Sequence, residues 1–168
     1  PFFLYVPYNA PHSPLQAPDK TVQFYEDMGL SKSVATIYAM IEEMDNGIAR
    51  ILDTLEKEGL ADNTIVMVSS DNGPALRHRP DQVSAGMSVE SLRHNCGFKG
   101  AKGSVYEGGI RVPMILRWPD GLPRGQEITE LIHFTDWLPT LLAMVGLERG
   151  DGPALDGHNV LPILRGES

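Results

Sequence analysis

TIVMVSSDNG, residues 64–73, joins an unbroken apolar run to a cluster of oxygen-bearing side chains. The run Thr64–Ser69 reads as a strand buried on both faces. Asp71 and Asn72 follow it at a turn that Gly73 closes. A carboxylate next to a side-chain amide offers hard oxygen ligands. Such ligands suit calcium or magnesium far better than zinc or copper. The same residue types are also the commonest in plain turns. Two ligands do not fill a calcium shell of roughly six to eight oxygens, so the remainder must come from elsewhere, including bound substrate.

Upstream of this stretch lies the clearest helix, residues 33–58. Val34, Ile37, Ile41, Met44, Ile48, Ile51 and Leu55 recur every three or four positions and form one apolar stripe. Ser31 or Ser33 can cap its start, and Gly59 suits the position after its end. FFLYVPY (2–8) reads as another strand, and NAPHSPLQAP (9–18) as a rigid extended loop. Residues 19–31 read as a polar surface excursion. Strand, helix and strand in this order predict a βαβ unit with parallel strands. Downstream, 74–97 reads as an irregular polar loop bearing Arg77, His78, Arg79, Arg93 and His94. Ile110–Trp118 reads as a further strand. A helix capped by Thr135 or Asp136 runs to Met144, with Pro139 in its first turn and Gly146 at its end. The expected class is α/β, a mostly parallel central sheet flanked by helices.

The 168 residues suffice for one domain with a core. Fourteen basic against 22 acidic residues leave a net charge of −8, and no basic tract offers a nucleic-acid footprint. One cysteine, Cys96, excludes an internal disulfide and a cysteine-rich zinc site. No apolar run nears the roughly 18 residues of a membrane span. PFFLYVPY opens directly in strand-like sequence without a methionine, so a longer polypeptide is expected, with any targeting segment upstream.

In open parallel sheets, ligands bind beyond the carboxyl ends of the strands. Asp71 and Asn72 follow one such end, and Asn9 and His12 follow another. His12 sits between prolines. It reads either as an exposed loop histidine or as a proton donor to a leaving group, a role that suits near-neutral titration. FKGAKGSVYEGG (98–109) combines Lys99 and Lys102 with glycines that let the backbone approach a ligand, and lysine supplies a charge for an anion. The phosphate-loop pattern GxxxxGK[ST] is absent. Glu107 and Arg111 read as an internal pair. His78, His94, His133 and His158 show no metal spacing, and Cys96 lacks a legible base partner.

Taken together, these segments resemble the sulfatase family of the alkaline-phosphatase-like superfamily. The matching stretches are FFLYVPYNAPHSPLQAP, MDNGIARILDTLEKEGLADNT, IVMVSSDNGP, KGAKGSVYEGGIRVPMILRWP, HFTDWLPTLLAMVG and LDGHNVLPILRGE, in that order and over nearly the whole chain. The resemblance implies an alkaline-phosphatase-like sandwich. It implies calcium bound by Asp71 and Asn72, sulfate contacted by Lys102, and His12 beside the departing ester oxygen. Lys99 falls where relatives often have arginine. The family nucleophile is a formylglycine made from the cysteine or serine of a C/S-x-P-x-R motif. Cys96 is followed by Gly97, Phe98, Lys99 and Gly100 and is not that residue. The paired aspartates that complete the calcium shell are also absent, as are the lysine and histidine beside the nucleophile. Residues 1–168 are therefore expected to be a central-to-C-terminal portion of a sulfatase catalytic domain, without its N-terminal part and terminal subdomain.

Three activities remain open at this point. The first is calcium-dependent hydrolysis of a sulfate ester, small molecule or glycan, by the parent enzyme. The family link suggests an exported (periplasmic or extracellular) or lysosomal setting. The second is a phosphatase or phosphonate hydrolase of the same superfamily, whose two-metal members tend to place histidine where Asn72 stands. The third is a non-catalytic anion-binding module, since the nucleophile lies outside the chain.

Overall fold

The computed structural model describes residues 1–75 and 95–167. Most of the irregular stretch expected over 74–97, with Arg77, His78, Arg79, Arg93 and His94, lies outside the described residues. The chain divides into two compact units, Pro1–Lys57 with Val68–Ile115, and Glu58–Met67 with Leu116–Ser168.

The first unit is built around a helical hairpin. Helix α1 spans Asp19–Asp27 and α2 spans Lys32–Lys57. The α1 segment was expected to be a polar excursion. It forms a helix because Val22 gives it one buried residue to pack, against Ala35 and Ala39 of α2. Ala17, Tyr25 and Leu30 close over this small cluster. The Tyr25 ring meets Tyr38 edge to face at 5.6 Å. Its hydroxyl donates to Glu42 at 2.8 Å, and that carboxylate, with burial second, raises the phenol above its ordinary range. Helix α2 matches its predicted extent within a residue at each end. Gly59 follows at φ +66°, the left-handed position that ends helices. The stripe is less buried than its period implied: Val34, Ile37 and Leu55 are buried, whereas Ile41 is 40% exposed.

Strand β1 is Val66–Ser69 and β2 is Met114–Arg117. They are hydrogen-bonded neighbours. Their sense follows from contacts beside the ladder. Ser69 Oγ donates to the Pro113 carbonyl and Gly73 N to the Gly109 carbonyl, while Arg117 donates to the Ala61 carbonyl. As one number rises the other falls, which is the antiparallel sense. A mostly parallel sheet is thus not seen among the described residues. The strand expected over 2–8 is also corrected. Among the described residues that segment has no ladder partner, and it is exposed, Phe3 to 88%, because a strand exists only beside a neighbour that takes its backbone hydrogen bonds; the expected βαβ unit, which needed this strand as its first, falls with it. Ile110 belongs not to β2 but to a single helical turn, α3, Glu107–Ile110.

In the second unit a 3-10 turn, Phe134–Asp136, leads into α4, Trp137–Met144, with Pro139 in its first turn as expected; Asp136 stands at the cap position, but its side chain makes no cap bond to α4 because its oxygens accept from His133 N and His158 N. Helix α5, Leu161–Arg165, was not expected. The buried carboxylate of Asp136 ties these segments. One oxygen accepts from His133 N at 2.7 Å and the other from His158 N at 2.8 Å. Thr140, fully buried, donates to the Asp136 carbonyl and accepts from Val160 N. The His158 and His133 amides, in that order, hold the Asp136 carboxyl below its ordinary value. No helix among the described residues is long and apolar enough to cross a membrane.

Candidate active site

Three glycines hold the Asp71 turn against the Lys102 loop. A Cβ on Gly73 would stand 2.0 Å from the Gly108 carbonyl oxygen. One on Gly108 would stand 2.3 Å from that of Gly100, and one on Gly109 2.2 Å from that of Ser104. All of these neighbours are main chain, so only glycine lets the loops meet. Two backbone bonds lock the contact, Gly73 N to Gly109 O at 2.9 Å and Lys102 N to Pro74 O at 2.9 Å. The lysine loop is braced from within. Asn95 Nδ2 donates to the carbonyls of Phe98 and Gly100, and Ser104 Oγ accepts from Ala101 N.

Asp71, Asn72 and Lys102 are thereby brought onto one backbone frame. Asp71 is exposed and Asn72 half-buried. Asn72 Nδ2 donates to the Gly73 carbonyl at 2.9 Å, which leaves Oδ1 as the atom free to face a cation. With the Asp71 carboxylate this makes a hard-oxygen pair that fits calcium in part. Among the described residues no group of three or more His, Cys, Asp or Glu could hold a metal alone, so further ligands are required. The Lys102 ammonium has no partner among the described residues, whereas the Lys99 ammonium sits 4.0 Å over the Tyr106 ring. Arg111 pairs with Glu107 at 3.3 Å and lies over the Phe98 ring, as an internal brace should.

His12 belongs to a separate segment of the same unit. Its amide closes a turn by donating to the Asn9 carbonyl at 2.8 Å. Its ring Nδ1 lies 2.8 Å from the Ser13 carbonyl. A carbonyl only accepts, so Nδ1 carries a proton and Nε2 is left for other chemistry. The ring is exposed. Cys96 is exposed at φ +56°, without the sequence context of a nucleophile. Sequence reasoning missed the glycine contact. It noted glycines at 73, 108 and 109 but had no signal for which backbone each would face.

The family model described as Sulfatase matches residues 1–147. Arylsulfatase J of Mus musculus is 35% identical over 160 residues, covering 95% of this chain and 24% of its own length. The solved structure of Ps i-CgsB in complex with k-i-k-neocarrahexaose superposes with a TM-score of 0.81 at 34% identity, over 96% of this chain and 33% of that one. The structure of BT4656 in complex with its substrate D-glucosamine-2-N,6-O-disulfate gives a TM-score of 0.61 at 25% identity, over 89% of this chain and 28% of that one. The chain thus spans about a quarter to a third of the proteins it matches.

Proposed function

The chain belongs to the sulfatase family, and on that premise we propose that it carries part of the catalytic site of a calcium-dependent hydrolase of sulfuric esters. The observation that supports this most is the shared frame. The Asp71–Asn72 turn and the Lys102 loop are held together through Gly73, Gly108 and Gly109. A divalent cation and a sulfate oxygen both need their partners within a few ångströms, and this frame joins the two segments that carry the proposed ligands and the lysine.

In this reading Asp71 and the Asn72 amide oxygen hold one side of the calcium ion. When bound, that ion supplies positive charge to the sulfate oxygens. Lys102 donates to a sulfate oxygen and offsets charge as the S–O bond to the leaving group breaks. His12, protonated on both nitrogens, keeps Nδ1–H on Ser13 and delivers the Nε2 proton to the departing oxygen, so the leaving group exits as a neutral alcohol. The nucleophile, expected as a formylglycine, is supplied from outside these residues, and the chain alone is expected to be inactive. The substrate class proposed is a sulfated sugar. Support comes from relatives of similar fold whose solved complexes hold a neocarrahexaose and a glucosamine disulfate.

Lys102→Ala in the complete polypeptide tests the assignment. Loss of one charge-stabilising donor is expected to lower turnover of a sulfate ester by about 100- to 1,000-fold. A near-normal rate would sink it. Stoichiometric zinc in the purified protein would instead favour a phosphatase-type site.

A further inference from the structure

Asn72 is followed by Gly73, and an asparagine before a glycine is prone to one spontaneous reaction. The main-chain nitrogen of the glycine attacks the asparagine side-chain carbon, and the missing Cβ leaves that approach unhindered. A bond forms from Gly73 N to Asn72 Cγ while the bond from Cγ to Nδ2 breaks. The Gly73 N–H proton passes to solvent, the departing nitrogen takes one up, and ammonia leaves. Water then opens the cyclic imide. Opening at Cγ yields aspartate at position 72. Opening at the main-chain carbonyl yields isoaspartate, with one extra methylene in the backbone.

A bulkier residue at 73 would slow this attack, but its Cβ would stand 2.0 Å from the Gly108 carbonyl oxygen. The structure instead ties down the groups that must move. The attack requires the peptide unit between Asn72 and Gly73 to rotate and its nitrogen to give up a proton. That N–H donates to the Gly109 carbonyl at 2.9 Å, and the carbonyl of the same unit accepts from the Ser70 hydroxyl at 3.1 Å. The leaving group is bound as well, since Asn72 Nδ2 donates to the Gly73 carbonyl at 2.9 Å. Gly73 itself is buried.

We infer that Asn72 is a deamidation site held closed by the frame that joins the Asp71 turn to the lysine loop. Local opening of that frame, and not of the whole fold, then sets the rate of modification. The product alters the turn itself: a neutral oxygen donor becomes a charged one, or the backbone lengthens by a methylene. The inference stands on these hydrogen bonds and is independent of the calcium reading.

The test incubates the complete polypeptide at mildly alkaline pH and follows aspartate and isoaspartate at position 72 by peptide mapping with mass spectrometry. Asn46–Gly47 is the internal control, the same dipeptide in the interior of α2. In guanidinium-unfolded chain the two asparagines should react at comparable rates, and folding should slow Asn72 by at least about tenfold. Ser70→Ala removes one donor and should speed Asn72 in the folded protein by about threefold to tenfold. Gly109→Ala places a Cβ 2.2 Å from the Ser104 carbonyl oxygen, displaces the carbonyl that holds Gly73 N, and should speed Asn72 by about tenfold or more. Asn46 should keep its parent rate in both variants. Ser70→Ala alters only an exposed side chain and decides the matter where Gly109→Ala does not fold. Asn72 reacting as fast in the folded parent as in the unfolded chain would overturn the inference, as would an unchanged rate in both variants. Asn46 accelerating in step with Asn72 would overturn it too, because that marks opening of the whole fold.

Discussion

Replacing Gly73 with alanine probes whether main-chain contact builds the half-site. The new Cβ would meet the Gly108 carbonyl oxygen at 2.0 Å, its carbon at 2.8 Å and Gly109 Cα at 3.1 Å. None of these neighbours is a side chain that could swing aside. Real Cβ contacts stay beyond 3.0 Å, so the two loops must part by about 1 Å, the difference between 3.0 and 2.0 Å. That movement stretches the Gly73–Gly109 bond, now 2.9 Å, past useful hydrogen-bond length. Overpacking costs about 1–3 kcal/mol. The lost bond adds about 1 kcal/mol. The expected destabilisation is then about 2–4 kcal/mol. A displacement of about 1 Å between Asp71 and Lys102 should also cost roughly 100-fold in turnover. Urea unfolding and sulfate-ester turnover of the complete polypeptide read the two effects separately. Gly150→Ala, where a Cβ meets nothing within 4 Å, is the control and should stay within about 0.5 kcal/mol of the parent. A Gly73→Ala protein as stable as that control, with turnover within threefold of the parent, would refute the reasoning.

Two other outcomes follow from the same chemistry. Metal analysis of the complete polypeptide should find calcium, and Asp71→Ala should weaken its binding by at least about tenfold in an isothermal titration; unchanged affinity would remove Asp71 from the ligand set. Asp136 makes stability depend on acid. Its folded-state carboxyl lies below its ordinary value of 3.8, so the folded chain binds that proton less readily than the unfolded one. The contribution is therefore full above pH ~4 and is lost as pH falls through that value and below. Asp136→Asn turns an amide NH2 toward one of the two backbone N–H groups, so it should lower the urea midpoint at pH 7 and differ less from the parent at pH 3. An equal gap at both pH values would contradict the assignment.

Sequence patterning reached those elements whose signal is local. Helix α2 repeats its apolar period from Val34 to Leu55, and β1 is a continuous apolar run, so neither needs tertiary information to be seen. Residues 2–8 have a strand's composition too, but pairing is a property of two segments, and no strand among the described residues pairs with this one. Helix α1 escaped notice because its burial rests on Val22 alone, too little to make a period. The antiparallel sense of β1 and β2 was not legible either, since a continuous apolar run points to a strand covered on both faces and does not name its partner. Within the site, Asp71, Asn72, Lys102 and His12 were legible as residue types in suggestive places. Their support was not. Gly73 meets Gly108 and Gly109 from far along the sequence, and a glycine's sequence context does not say what approaches it.

The way each group is held bears on the proposed chemistry. A sulfatase meets the same sulfate in every substrate but a different leaving group in each. Lys102 and the Asp71–Asn72 turn, assigned to the constant part, are fixed to each other by backbone bonds and glycine contacts that tolerate no added atom. His12, assigned to the variable part, is exposed on a turn that its own amide closes onto the Asn9 carbonyl. Rigid support suits charge stabilisation, because donors fixed in advance need no reorganisation as the bond breaks. A proton donor must instead reach an oxygen whose position changes with the alcohol it carries. An exposed ring on such a turn suits that task, while the side that carries Asp71, Asn72 and Lys102 stays in place.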